Sequence, residues 1–65
     1  MAQFNYFSII QCRINGEWID VAVYQANSRG KIKLSTCQER FDHELKHFQD
    51  REQTRVVSRR EPVYL

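Results

Sequence analysis

Ile9-Ile10-Gln11-Cys12-Arg13-Ile14-Asn15-Gly16-Glu17-Trp18-Ile19-Asp20-Val21-Ala22-Val23 is the stretch whose reading decides the fold. Asn15 and Gly16 both tolerate positive φ, which a type I′ turn requires at its two central positions, so the pair is a strong hairpin signal. Before it, residues 4–14 are rich in aromatic and β-branched side chains, and no breaker interrupts them. After it, residues 17–25 alternate. A two-residue turn sets Ile14 opposite Glu17, Arg13 opposite Trp18 and Cys12 opposite Ile19. One face of the hairpin then carries Ser8, Ile10, Cys12, Ile19, Val21 and Val23. The other carries Phe7, Ile9, Gln11, Arg13, Trp18, Asp20, Ala22 and Tyr24.

Working outward, Ala26–Gly30 is a polar turn, and Lys31-Ile32-Lys33-Leu34-Ser35 alternates as a short third strand. Thr36-Cys37-Gln38-Glu39 fits a capping box, in which Thr36 and Glu39 satisfy each other's backbone amides. A helix over residues 37–52 follows. Cys37, Phe41, Leu45 and Phe48 fall within about 80° on it, one apolar stripe, and Asp42 and Lys46 make an i,i+4 pair. The stripe matches the first hairpin face, joined by Ile32 and Leu34. Phe41, Leu45, Phe48, Ile10, Val21 and Ile19 are the expected core. Arg55–Ser58 reads as a fourth short strand, and Pro62 assigns residues 59–65 to a tail or edge. The expected fold is α+β: a mainly antiparallel sheet of three or four strands, ordered β-β-β-α with a C-terminal strand as the fourth, and one helix on one face.

The chain has 65 residues, 42% apolar and 28% charged, with two Gly and one Pro. That is one small globular domain over residues 1–65, too short for most enzyme folds or a two-domain cofactor site. Only two cysteines occur, Cys12 and Cys37, where a secreted mini-domain would carry more. No basic segment precedes an apolar one near the start, and no apolar run is long enough for a membrane span. These features fit a soluble protein of a reducing compartment, the cytoplasm. The net charge is +2 and spread along the chain, with five acidic and three basic side chains between residues 37 and 53. That is not the concentrated basic footprint of a typical DNA-binding domain.

His43-Glu44-Leu45-Lys46-His47 matches H-E-x-x-H, the zincin pattern. The two histidines lie about 160° and 120° from the centre of the apolar stripe, so they face water. No third histidine exists, and a chain this short cannot wrap a cleft around the helix. Cys12 and Cys37 read as small buried hydrophobes. No phosphate loop, nucleophile elbow or carboxylate pair stands out. The expectation is no catalytic residue, no cofactor, no metal and no small-molecule substrate.

The second hairpin face is more informative. Phe7, Ile9, Trp18 and Tyr24 are large side chains that one helix cannot cover, and Arg13 opposite Trp18 is placed for a cation–π contact. Such patches mark binding sites, unless residues 54–65 fold across this one with Val56, Val57, Val63 and Tyr64 as cover. The expected role is a non-enzymatic protein-binding module of regulator, inhibitor or adaptor type. It acts through Phe7, Ile9, Arg13, Trp18 and Tyr24 on another protein or a second copy of itself.

The alternative is a nucleic-acid-binding domain using the same face and the basic residues Arg13, Lys31, Lys33, Arg55, Arg59 and Arg60. Gly16-Glu17-Trp18 opening one strand, Gly30-Lys31 opening the next and a helix from Cys37 are similar in architecture to two kinds of DNA-binding domain. One is the small three-stranded domain at the N-termini of tyrosine-type integrases, the other the plant AP2-type domain. The resemblance covers about residues 10–50. It implies a sheet face away from the helix that enters the major groove, which here offers Gln11, Arg13, Trp18, Tyr24, Lys31 and Lys33. Asp20 and the apolar pair Phe7 and Ile9 on that face favour the protein-binding role.

Overall fold

The computed structural model describes residues 3–63. Strands β1 (Gln3–Ile14) and β2 (Glu17–Ala26) form the hairpin, helix α1 (Ser35–Gln49) follows, and strand β3 (Thr54–Val63) closes the fold. The three strands make one antiparallel sheet in the order β2-β1-β3. The class is α+β, as expected, but the order is β-β-α-β, and the described residues hold no fourth strand. The topology that carried the likeness to the integrase and AP2-type domains, three strands before the helix, is therefore not formed.

The turn is as the sequence dictates: Asn15 has φ 54° and Gly16 φ 82°. Trp18 pairs with Arg13, Ile19 with Cys12 and Asp20 with Gln11. Beyond them the register slips by one residue. Ala22 pairs with Ile10, Val23 with Ile9 and Tyr24 with Ser8, which leaves Val21 as the extra residue of a β-bulge. Side chains alternate, so one extra residue exchanges the faces of all that follows. Ala22 and Tyr24 turn to the helix side, and Val23 turns to the other side, where it is 55% exposed.

Lys31–Ser35 is not a strand. Asn27 Oδ1 accepts hydrogen bonds from the amides of Arg29 (2.9 Å) and Lys31 (3.0 Å). The Asn27 amide donates to the Lys31 carbonyl at 2.8 Å, and Gly30 takes φ 81°. This closed loop returns the chain to β2 through one bridge, Ile32 to Ala26. The helix starts at Ser35, so no length remains for a ladder. It also starts before the expected capping box. Leu34 is the N-cap residue and no side chain caps the end. Gln38 rather than Lys46 partners Asp42, its side-chain amide donating at 2.9 Å.

The C-terminal strand is longer than the sequence suggests. Ten residues of β3 pair with β1, from Thr54 opposite Cys12 to Val63 opposite Gln3. Pro62 fits because β3 is an edge strand with one open side, where a missing amide costs nothing. Residues 59–63 are thus strand, not tail; Tyr64 and Leu65 lie outside the described residues.

The core centres on β1. Ser8, Ile9, Ile10, Gln11 and Cys12 are all buried, with Ala26 and Ile32 beside them. A central strand with five consecutive buried residues has both faces covered. On the helix side Ile10 is fully enclosed, but Phe41, Leu45, Phe48 and Val21 are only half-buried and Ile19 is 41% exposed. Leu34 is exposed too. The expected core is therefore corrected: one narrow helix shields the middle strand and leaves the flanks partly open. Tyr24 joins this side, its ring edge-on to Phe41 with centroids 5.5 Å apart.

Candidate functional site

Among the described residues, the other side of the sheet carries no second layer of secondary structure. Its centre is Ile9, flanked by Val23 on β2 and Val57 on β3. Ile9 is nevertheless only 1% exposed. The register supplies the reason. Arg59 stands opposite Phe7 and Asp20 opposite Gln11, yet Arg59 Nη1 donates to Asp20 Oδ2 at 3.0 Å. The two side chains reach from opposite strands across β1 at the level between residues 7 and 11, which is that of Ile9. An arginine stem laid across a strand in this way can cover the side chain beneath it while its head stays wet.

A second crossing lies one step toward the turn. Arg55 Nε donates to Gln11 Oε1 at 2.8 Å, and its guanidinium sits 4.2 Å from the centroid of the Trp18 ring. Gln11 Nε2 in turn donates to Asp20 Oδ1 at 2.7 Å. The buried Gln11 amide thus has both polar atoms satisfied. Trp18, Arg55, Gln11, Asp20 and Arg59 form one connected network. Gln11 and then Arg59 hold the Asp20 carboxyl below its ordinary value.

The expected site residues separate. Phe7, Ile9, Arg13 and Trp18 share this face, Phe7 and Trp18 half-buried and Arg13 exposed. Tyr24 does not join them: the bulge places it under the helix, where its hydroxyl donates to Glu44 Oε2 at 2.6 Å. Phe7 pairs with Gln25, not Tyr24, and the cation over Trp18 is Arg55, not Arg13. Among the expected covering residues, Val57 contributes to the open face from within the sheet and Val56 lies on the helix side. Tyr64 lies outside the described residues.

The alternative nucleic-acid set is also divided. Arg13, Arg55 and Arg59 lie on the open face, while Arg60 pairs with Tyr6 on the helix side, 4.6 Å from the Phe4 ring. Lys31 and Lys33 are exposed in the connection before α1. Gln11 was expected only as a groove-facing residue and Asp20 only as a charge disfavouring that role; their bond to each other was not foreseen, although the hairpin register sets them side by side. The stacking of Arg55 on Trp18 needed the pairing of β3 with β1, which no local signal encodes.

His43 and His47 are exposed, as their positions on the helix dictate, and Cys12 and Cys37 are free thiols, Cys12 buried and Cys37 half-buried. Among the described residues no group of three or more His, Cys, Asp or Glu is gathered as metal ligands. No helix among them is long and apolar enough to cross a membrane. No protein-family model, curated protein or solved structure matches the chain.

Proposed function

We propose that this chain is a non-enzymatic protein-binding module whose contact surface is the open sheet face, centred on Trp18. The observation that supports this reading is the uncovered face itself. It holds a half-buried Trp18 with Arg55 stacked on it, the exposed Arg13 beside it, and exposed Val23 next to the enclosed Ile9. Trp and Arg are the types that dominate interface hot spots. Here their rotamers are held by hydrogen bonds and stacking, so less entropy is lost on docking. Three arginines against Asp20 make the face basic around Trp18, with Glu61 at its far end. Two copies set face to face would oppose like charges, so a different chain with an apolar centre and an acidic rim fits better.

Trp18→Ala should weaken partner binding by about 2 kcal/mol or more, roughly thirtyfold, and leave the domain folded. Crosslinking with the wild type and the variant, then titration of the purified partner, measures this. Equal binding by the variant removes the open face from consideration. Light scattering of the isolated protein tests for a second copy as the partner.

The nucleic-acid reading keeps one favourable observation, the alignment of Arg13, Arg55 and Arg59 with an aromatic ring on one face. Steep loss of binding to a short duplex or single strand with rising salt would select it.

A further inference from the structure

At the end of the sheet away from the hairpin turn lies a cavity of about 340 Å³. Arg29, Arg59 and Arg60 line it, with the hydroxyl residues Ser28 and Ser58 and the aromatic Tyr6, and no Asp or Glu lines it. We propose that this cavity is a binding site for a nucleotide-sized phosphate monoester.

The charge argument comes first. Arg29 and Arg60 border one small space with no carboxylate in its lining, while the head of Arg59 is turned to the open face of the sheet. Asp20, which holds Arg59 on that face, lies outside the cavity lining and offsets neither Arg29 nor Arg60. The side chains of Arg29 and Arg60 have no hydrogen-bond partner among the described residues. Arg60 presents its face to the Phe4 ring, which leaves its N–H edge to point elsewhere. Arginine forks match the oxygens of a phosphate in pairs, better than ammonium groups do.

Shape is the second argument. The cavity is at the lower end of small-ligand pocket sizes and far larger than one anion needs. Tyr6 offers a ring for a sugar or base. The loop that carries Arg29 is already closed on itself through Asn27, and Ser8 Oγ donates to the Gly30 carbonyl at 3.2 Å, tying the loop to β1. The loop that forms one wall of the site is therefore set before a ligand arrives. It is separate from Trp18 and does not depend on the protein-binding reading.

The test is an amide chemical-shift titration of the whole chain at low salt with adenosine 5′-monophosphate, cytidine 5′-monophosphate and ribose 5-phosphate. Adenosine and inorganic phosphate serve as controls. At least one monoester should shift the amides of residues 27–30 and 58–60, and adenosine should not. Arg29→Gln and Arg60→Gln should each raise the dissociation constant about tenfold or more. Arg60→Lys, which keeps the charge and loses the fork, should fall between, and guards against a folding defect in the glutamine variant.

A single-stranded oligonucleotide with and without a 5′-phosphate separates the sources of the group. Gain of affinity over the mononucleotides that disappears with the 5′-phosphate assigns the site to a nucleic-acid terminus. Equal affinity assigns it to a free small ligand. Silence to all monoesters up to about 10 mM overturns the proposal. So does binding that the arginine variants do not weaken, an inorganic phosphate affinity equal to that of the monoesters, or oligonucleotide binding indifferent to its 5′-phosphate.

Discussion

The two faces of β1 are buried to the same degree by different means. Toward the helix, Ile10 is enclosed by α1 and the side chains beneath it. Away from the helix, Ile9 is enclosed by the long side chains of the neighbouring strands, joined across it as Arg59 and Asp20. A three-stranded sheet is narrow enough for such a crossing to shield its middle strand. The comparison teaches that an uncovered sheet face need not expose its central apolar residue. What it exposes here is a hydrogen-bonded basic surface with a tryptophan at one end.

The largest expected effects come from the two isoleucines. Ile10→Ala and Ile9→Ala should each cost about 2–5 kcal/mol, with Ile10→Ala the greater. Beneath a helix the cavity cannot readily collapse, whereas arginine stems can settle into the space left by Ile9. Urea unfolding measures both. Either change is large beside the stability of so small a domain, so Ile10→Val and Ile9→Val, at about 0.5–1.5 kcal/mol, keep the comparison readable. A negligible cost for Ile9→Ala would break it, because the open side would then contribute no core.

Next in size is Tyr24, which the bulge turns to the helix side. Tyr24→Phe removes the hydrogen bond to Glu44 and should cost about 0.5–1.5 kcal/mol. Burial, then the bond to Glu44, pushes the Tyr24 hydroxyl up to about 12 from an ordinary 10.0. The folded state thus holds this proton more tightly than the unfolded chain does. The stabilisation is complete below pH 10 and is lost as pH rises through about 12. An ultraviolet titration of tyrosinate should lose its latest step in Tyr24→Phe. An unchanged titration would return Tyr24 to the open face and restore the unbulged register.

The hairpin, its turn and the first four cross-strand pairs are legible because Asn15-Gly16 is local chemistry with one good solution. The bulge at Val21 is not legible. Val21-Ala22-Val23 is uniformly apolar, so either register buries something, and the contact that rewards the slip, Tyr24 on Phe41 and Glu44, comes from a distant helix. Lys31–Ser35 alternates but is only five residues long, and the Asn27 loop on one side and the helix on the other consume it. Thr36-x-x-Glu39 has capping chemistry, yet the helix extends upstream of it without a cap. Of the site, Trp18, Arg13, Phe7 and Ile9 follow from the hairpin alone. Arg55 and Arg59 join only when β3 is laid beside β1.

The smallest effect tests the crossing itself. Asp20 sits on the surface, and ion pairs so exposed contribute little to stability. Its carboxyl is depressed below the ordinary 3.8 by the Gln11 amide first and Arg59 second. A depressed carboxyl stabilises the fold above its unfolded value, and that contribution is lost as pH falls through the lower folded value. Asp20→Asn should therefore flatten the acid limb of the stability curve by lowering stability slightly at neutral pH, leaving it unchanged where the carboxyl is already protonated. Asparagine can still accept from Gln11, but it presents an amide N–H₂ to Arg59 where the carboxylate oxygen stood. The crossing should open even though the strand pairing persists. Its signature is then local: a shift of the Ile9 methyl resonances, with those of Ile10 unaffected. If the Ile9 methyls do not move, side-chain packing from Val23 and Val57 alone covers Ile9, and the arginines are free to leave the sheet for a partner. If Asp20→Asn instead costs as much stability as Ile9→Ala, the network supports the sheet itself, and a partner binding there would have to leave Asp20 and Arg59 joined.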